Sequence, residues 1–277
     1  MTIIKDIQVA GSAGRPMLTD IFYTGNTEGK PAVIYAHGFN GFKDWGNFDI
    51  IAKQFAEAGF VFVKFNFSHN GTTVQHPEDF TDLEAYGNNN YTKELNDLGA
   101  IMDWVAEANP AITGIYLLGH SRGGGITLLK AARDARVKAV ATWASVNECK
   151  TPWGGWDIDK MEAWEETGVA YYTNGRTGQQ MPLYYQLYQD YLRNQLTLNI
   201  ERAIKSLEVP VLLCHGSGDN AVKMDKALQL KEWQPAADLF VVDSDHVFGR
   251  KHPWLEDTLP GAMQQVLDKT IGFFRAV

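Results

Sequence analysis

Ile112-Thr-Gly-Ile-Tyr-Leu-Leu-Gly-His-Ser-Arg-Gly-Gly-Gly-Ile126 is the stretch on which the reading of this 277-residue chain turns. A short apolar, partly β-branched run leads into Gly119-His120-Ser121-Arg122-Gly123, and the residues after it, through Ala135, have helical composition and period. The pattern is strand, sharp turn, helix. A turn this tight forces the residue at its apex into a strained backbone conformation, and glycines two positions either side let strand and helix approach that closely. Ser121 occupies the apex, with the first amides of the following helix directed at the space above its hydroxyl.

Outward from this stretch, short apolar strands alternate with amphipathic helices. The spacing predicts strands at Ala32–Ala36, Phe60–Phe67, Ile112–Leu118 and Val137–Ala144, and helices at about 44–58, 91–108 and 122–135. Alternation resumes with a strand at Val209–Cys214, a helix at about 222–233, a strand at Leu239–Val242 and a final helix at about 260–275. Right-handed crossovers between such units give a mostly parallel sheet covered on both faces. Residues 3–9 and 18–24 read as an antiparallel start joined by the turn from Gly11 to Pro16. The chain is therefore expected to form a single α/β domain over residues 1–277.

One segment, about 147–208, breaks the alternation. It holds three of the eight tryptophans (Trp153, Trp156, Trp164) and six of the eleven tyrosines, and its helical pieces fit no strand-helix repeat. It reads as a small cap inserted over the carboxyl edge of the sheet. A lid this small cannot bury so many aromatics internally, so Trp153, Trp156, Tyr184 and Tyr185 are assigned to substrate binding, in an apolar or aromatic pocket.

Composition narrows the function classes. A formal charge of −8 without a Lys/Arg cluster argues against nucleic acid or an anionic membrane surface as partner. The first ten residues carry Lys5 and Asp6 inside a strand-like run, so neither signal peptide nor membrane span is expected and the cytoplasm is the expected location. Cys149 and Cys214 read as reduced, buried thiols. No His-x-x-x-His, Cys-x-x-Cys or dense carboxylate cluster accompanies His37 and His120, so no metal and no cofactor is expected.

In an open α/β sheet, ligands bind outside the carboxyl ends of the strands. Four such ends carry chemistry here. His37-Gly38-Phe39-Asn40-Gly41 offers a glycine loop whose backbone amide at Phe39, paired with that of Arg122, suits an oxyanion hole. Ser121 follows the third parallel strand, Asp219 lies in the turn His215-Gly216-Ser217-Gly218-Asp219, and His246 ends Asp243-Ser244-Asp245-His246. A serine hydroxyl is too weakly acidic to attack at neutral pH unless an imidazole takes its proton, and a carboxylate must orient that ring. Ser121, Asp219 and His246 supply the three in the chain order expected of nucleophile-elbow enzymes. Asp219 also reads as a helix N-cap, with Glu148 or Asp243 as replacement acids, and His252 and His215 are the rival imidazoles.

On these motifs the chain resembles the serine α/β-hydrolases over essentially its whole length. Phe65-Asn66-Phe67-Ser68-His69-Asn70-Gly71 is also similar to the Phe-Asp-Phe-x-Gly-x-Gly loop of bacterial acyl esterases, cinnamoyl esterases among them, and of prolyl-oligopeptidase-like hydrolases. The oxyanion loop departs from the Gly-Gly-Gly type of many lipases, and the serine nucleophile sets the chain apart from cysteine-based dienelactone hydrolases and aspartate-based dehalogenases. The resemblance implies an α/β-hydrolase fold and hydrolysis of a small-molecule carboxylic ester through an acyl-enzyme. An aminopeptidase or amidase would use the same machinery, with Glu148, Glu162, Glu165 and Glu166 available to hold a charged terminus. The fold also serves as a non-catalytic ligand receptor, and a cap rich in Trp and Tyr permits dimerisation.

Overall fold

The computed structural model describes residues 1–277. The chain opens with β1 (Thr2–Ala10) and β2 (Pro16–Tyr23), paired antiparallel, then enters the alternating part with β3 (Ala32–Ala36), α1 (Phe48–Glu57) and β4 (Val61–Phe65). Next come α2 (Leu83–Gly87), α3 (Tyr91–Ala108), β5 (Ile115–His120), α4 (Arg122–Ala131) and β6 (Val137–Trp143). Between β6 and the return of the chain to the sheet lie α5 (Ile158–Thr167), an antiparallel hairpin of β7 (Val169–Thr173) and β8 (Gln180–Tyr184), α6 (Gln186–Arg193) and α7 (Ile200–Lys205). The chain closes with β9 (Val211–Gly216), α8 (Met224–Trp233), β10 (Asp238–Val242) and α9 (Gly261–Arg275).

Eight strands form one sheet in the order β1-β2-β4-β3-β5-β6-β9-β10, with only the first two pairings antiparallel. The inner strands β3, β4, β5 and β9 are buried at every position. Their side chains alternate between the two faces, as a period of two requires. Ile34, Val63, Leu117 and Leu213 face one core, which α3 and α4 cover; Val33, Phe62, Leu118 and Leu212 face the other, under α1 and α9.

The segment between β6 and β9 joins the first of these cores. Trp153 and Trp164 are buried in the same cluster as Tyr91, Leu95 and Leu98 of α3 and Leu128 and Leu129 of α4. Asp190 of α6 accepts the Thr92 hydroxyl at 2.9 Å, and Asn90 and Gln186 are hydrogen-bonded at 2.8 Å. The aromatic residues here are thus packing groups that seat the segment on α3, where charge and amide contacts fix its register.

Because β3 is central and all its neighbours across β5, β6, β9 and β10 run parallel to it, their carboxyl ends open on one edge of the sheet. Every residue of the chemical constellation follows one of those ends.

Candidate active site

At the end of β5 the chain turns into α4 with Ser121 at φ 55° and ψ −120°, a left-handed conformation that an L side chain adopts only under tertiary constraint. The constraint is steric and comes from both flanks. A Cβ on Gly119 would lie 2.3 Å from the carbonyl oxygen of Gly123, and a Cβ on Gly123 would lie 2.3 Å from that of Ala36. The turn is also tied to the next strand, since the Ser121 amide donates to the Trp143 carbonyl at 2.8 Å. The serine is thereby presented above the sheet edge and remains buried, at 8 % exposure.

Two strands on, the turn after β9 carries Asp219. One carboxylate oxygen, Oδ1, accepts the amides of Ala221 and Val222 at 2.8 Å each, while the other, Oδ2, meets Nδ1 of His246 at 2.7 Å. Asp219 is not the helix N-cap that the sequence also suggested, since α8 begins at Met224 with Lys223 at its cap; it closes the turn before that helix with one oxygen and meets the imidazole with the other. Burial raises its pKa, but the hydrogen bond from His246 and the two amides outweigh that, and the carboxyl is held below its ordinary value. With Nδ1 engaged, Nε2 of His246 is the nitrogen left to exchange a proton. No hydrogen bond joins Nε2 to Ser121 Oγ in this structure, although both residues line the same cavity.

The histidines nearest this pair, and the rival His252, have structural partners. His215 meets the Val222 carbonyl through Nε2 at 2.7 Å, as expected of a strand-end hydrogen-bonder, and lies 3.4 Å from Asp219. His252 accepts the Gly46 amide at 3.0 Å and packs edge-on to Phe42. His37 is buried between the Gly38 carbonyl at Nδ1 and the Phe67 amide at Nε2, and burial lowers its pKa to about 4. His120, also held neutral by burial, reaches the backbone carbonyl of His246 at 3.0 Å and so pins the loop bearing the imidazole.

Across the cavity lies the loop after β3. Gly38 abuts Ser121 so closely that a Cβ on it would be 3.0 Å from the serine Cβ. The next amide, that of Phe39, and the amide of Arg122 have no hydrogen-bond partner in the protein. The Arg122 side chain turns away into the fold: Nε donates to Glu94 at 2.8 Å and the guanidinium stacks on Tyr91 at 3.8 Å. It locks the start of α4 to α3.

The cavity shared by Ser121, His246, Gly38 and Phe39 has a volume of about 220 Å³. Its apolar wall is Tyr35, Phe42, Trp45 and Phe48, from β3 and the approach to α1. The four aromatics assigned to substrate binding from sequence are elsewhere. Trp153 is buried against Tyr91 and Trp164; Trp156 and Tyr185 pack on Trp164; Tyr184 bonds Glu84 at 2.5 Å. Their number reflects the need to seat the segment on α3. What the segment does send to the site is Asn174, Arg176 and, beside them, Tyr172.

Tyr172 was not legible as a site residue. Its hydroxyl and that of Tyr86, from α2, both donate to Oδ1 of Asn40 and lie in contact with each other. Asn40 follows Phe39 and sits at φ 59°, so the segment reaches the loop carrying the Phe39 amide through one phenol. The only sequence signal was an asparagine between Gly38 and Gly41, the residue type that best tolerates a left-handed turn after glycine.

Arg250, four residues beyond His246, was equally unread. It is 4 % exposed, lines the cavity, and stacks on Phe48 at 4.8 Å and Trp45 at 5.6 Å.

Residues 31–167 match the family described as alpha/beta hydrolase fold. No curated protein matches the sequence significantly. Among solved structures, Est1E from Butyrivibrio proteoclasticus with ferulic acid bound is 18% identical, with a TM-score of 0.71 over 98% of each chain. DcsB in complex with its substrate analogue is 15% identical, with a TM-score of 0.75 over 99% of each chain. The esterase domain of a Rhodothermus marinus protein is 18% identical, with a TM-score of 0.61 over 90% of this chain and 91% of that one. The fold is therefore that of the α/β-hydrolases, as the motifs implied, and at these identities the likeness to the solved structures is one of fold.

Proposed function

We propose that this α/β-hydrolase-fold chain is a serine hydrolase that cleaves a small carboxylic ester through an acyl-enzyme. The observation that carries the reading is the 2.7 Å bond from His246 to Asp219 beside a cavity that also holds Ser121 at its strained apex. Ser121 Oγ attacks the ester carbonyl carbon and its proton passes to His246 Nε2. The oxyanion so formed takes the amides of Phe39 and Arg122, which are otherwise unpaired. Collapse expels the alcohol, which leaves with the proton from His246; water then repeats the sequence on the acyl-enzyme and frees the acid. Asp219 keeps Nδ1 of His246 protonated and supports the imidazolium formed in each half-reaction.

Residues 147–208 act as the cap, and Tyr172, Asn174 and Arg176 are its contribution to the site. The cavity, at about 220 Å³, is smaller than the 300–1,000 Å³ of sites for drug-sized ligands, and its aromatic wall favours a small apolar or aromatic group. No metal or redox group enters this chemistry.

A fluorophosphonate is expected to label Ser121 stoichiometrically, and Ser121→Ala to reduce turnover of a short 4-nitrophenyl ester by several orders of magnitude, about 10³ or more. Undiminished turnover by Ser121→Ala sinks the mechanism.

A further inference from the structure

Charge is distributed unevenly between this chain and its cavity. The protein carries a formal charge of −8, yet the cavity beside Ser121 is lined by two arginines, Arg176 and Arg250, and by no aspartate or glutamate. Arg250 is the more telling of the two. Its Nε is satisfied by the Val247 carbonyl at 2.7 Å, whereas Nη1 and Nη2 are both buried without a hydrogen-bond partner. No carboxylate lies within ion-pair distance of it. The nearby carboxylate of Asp245 is turned to its own loop, accepting the amides of Val247 and Gly249 at 3.1 and 2.9 Å. Tyr35, which shares the cavity wall, sets its hydroxyl against the Arg250 guanidinium closely enough that each shifts the other's pKa through charge and a side-chain contact, short of a well-formed hydrogen bond to either Nη. Arg176 sits on the exposed side, its guanidinium 5.6 Å over the Phe42 ring.

Buried guanidinium donors are costly to leave unmade, and a planar pair of them matches the two oxygens of a carboxylate. Stacking on Phe48 and Trp45 compensates the charge in part but gives the N–H groups no acceptor. The bonding capacity missing from the protein is thus an anionic one; Arg250 lines the cavity where the reacting ester must lie, with its Nη groups closed off just behind the surface, so a carboxylate meets them after a shift of the side chain.

We infer that the substrate is an ester bearing a free carboxylate, and that Arg250, with Arg176 at the rim, receives that carboxylate while Ser121 attacks the ester carbonyl. The aromatic wall takes the carbon skeleton between the two ends. This rests on the ester-hydrolase reading and adds to it the class of substrate: half-esters of diacids, or esters of hydroxy acids. Arg250 stays charged at neutral pH, since burial, the largest influence on it, lowers its pKa only to about 10.

Two pairs of matched esters test this with the intact protein. On the acyl side, mono-4-nitrophenyl adipate is compared with the isosteric 4-nitrophenyl 6-methylheptanoate; on the alcohol side, 3-acetoxybenzoate is compared with 3-isopropylphenyl acetate. The charged member of at least one pair is expected to have kcat/KM about 10- to 100-fold higher, the gain falling with added salt, as charge-assisted bonds to a guanidinium require. In Arg250→Gln, that preference is expected to shrink to within about twofold, with most of the change in KM. Arg176→Gln, at an exposed position, is expected to lose part of the preference and covers the case in which Arg250→Gln does not fold. Preference for the neutral member of both pairs, or a preference for the charged one that survives in both folded variants, overturns the assignment. Calorimetry of adipate against Ser121→Ala reads the anion site without turnover. Binding there that is lost in the added Arg250→Gln supports the site even if none of the four esters is cleaved, and in that case the ester reading alone fails; adipate binding that is absent overturns the site.

Discussion

Tyr172→Phe isolates the link between the inserted segment and the oxyanion loop. The substitution removes one hydroxyl that bonds Oδ1 of Asn40, leaves the ring packed 5.6 Å from Phe39, and spares the bond from Tyr86. Burial raises the Tyr172 pKa to about 12, so the phenol is a hydrogen-bond donor at neutral pH. A bond of this kind contributes about 0.5–1.5 kcal/mol. Asn40 must hold φ 59°, which costs an L residue about 1 kcal/mol, so the loop is poised where one tether matters. If the whole bond energy goes to keeping the Phe39 amide aimed, kcat falls about 2- to 10-fold. Loss of an oxyanion donor outright would cost about 10²–10³, so a fall of that size is not expected while Tyr86 holds. Combining Tyr172→Phe with Tyr86→Phe is expected to cost more than the product of the single effects. Asn40→Gly supplies the control, because glycine adopts positive φ without a tether. In that background, adding Tyr172→Phe is expected to change kcat less than about twofold, a coupling read from the double-mutant cycle. The assay is steady-state turnover of a short 4-nitrophenyl ester, with KM and thermal midpoint measured alongside. An unchanged kcat in Tyr172→Phe, or an equal fall in both backgrounds, refutes the tether.

Three further outcomes follow from the geometry. Gly123→Ala drives a Cβ to 2.3 Å from the Ala36 carbonyl oxygen, and destabilisation above about 4 kcal/mol or loss of soluble protein is expected; Gly125→Ala meets side-chain atoms alone, Ile200 Cδ1 at 2.8 Å and Val146 Cγ2 at 3.0 Å, and is expected to cost about 1–2 kcal/mol, as chemical denaturation will show. Asp219→Asn keeps an oxygen for the amides of Ala221 and Val222 but loses the acceptor that fixes the imidazole tautomer, so folding is expected to survive while kcat falls about 10⁴-fold. His37, lowered to about 4 by burial, stays neutral in the folded chain while its unfolded counterpart takes a proton below about pH 6.5. Its contribution is therefore complete above pH 6.5 and lost as pH falls toward 4, about 2 kcal/mol of it by pH 5; urea unfolding at pH 7 and pH 5 should show that part of the loss missing in His37→Gln, and an equal loss in both proteins removes His37 from the account.

What could be read from the sequence was whatever a local pattern determines. The β-strand Ala32–Ala36 and the helix Tyr91–Ala108 lie where composition and period put them, because a doubly buried strand and a long amphipathic helix each carry a period strong enough to decide the matter alone. The helix expected from about 44 begins only at Phe48, since Trp45 belongs to the turn that walls the cavity and its apolar side chain serves the site. The hairpin of β7 and β8 went unread for a related reason: its strands are half-exposed and short, and they are held by Tyr172, Gln179 and Trp164 contacts that no period reports. For the candidate site, the convergence of Ser121, Asp219 and His246 at one sheet edge was legible because position after a parallel strand and chain order are one-dimensional facts.

The substrate wall was not legible, and the reason is physical. An insert rich in tryptophan can spend its rings on a cavity or on its own attachment, and composition is identical in the two cases. Here attachment wins: Trp153 and Trp164 reach Tyr91 and Tyr188 and lie in one continuous core with α3 and α4. The cavity instead takes its rings from Phe42, Trp45 and Phe48, within a dozen residues of the oxyanion loop, and its charge from Arg250, four residues past His246. On the proposed reading, specificity accordingly resides largely in the loops after β3 and β10, with Arg176 of the insert adding to it at the rim. Exchanging residues 147–208 for a segment that keeps an arginine at the place of Arg176 should then alter access and the tether at Asn40 more than the choice between charged and neutral esters, whereas changes at Arg250 should do the reverse.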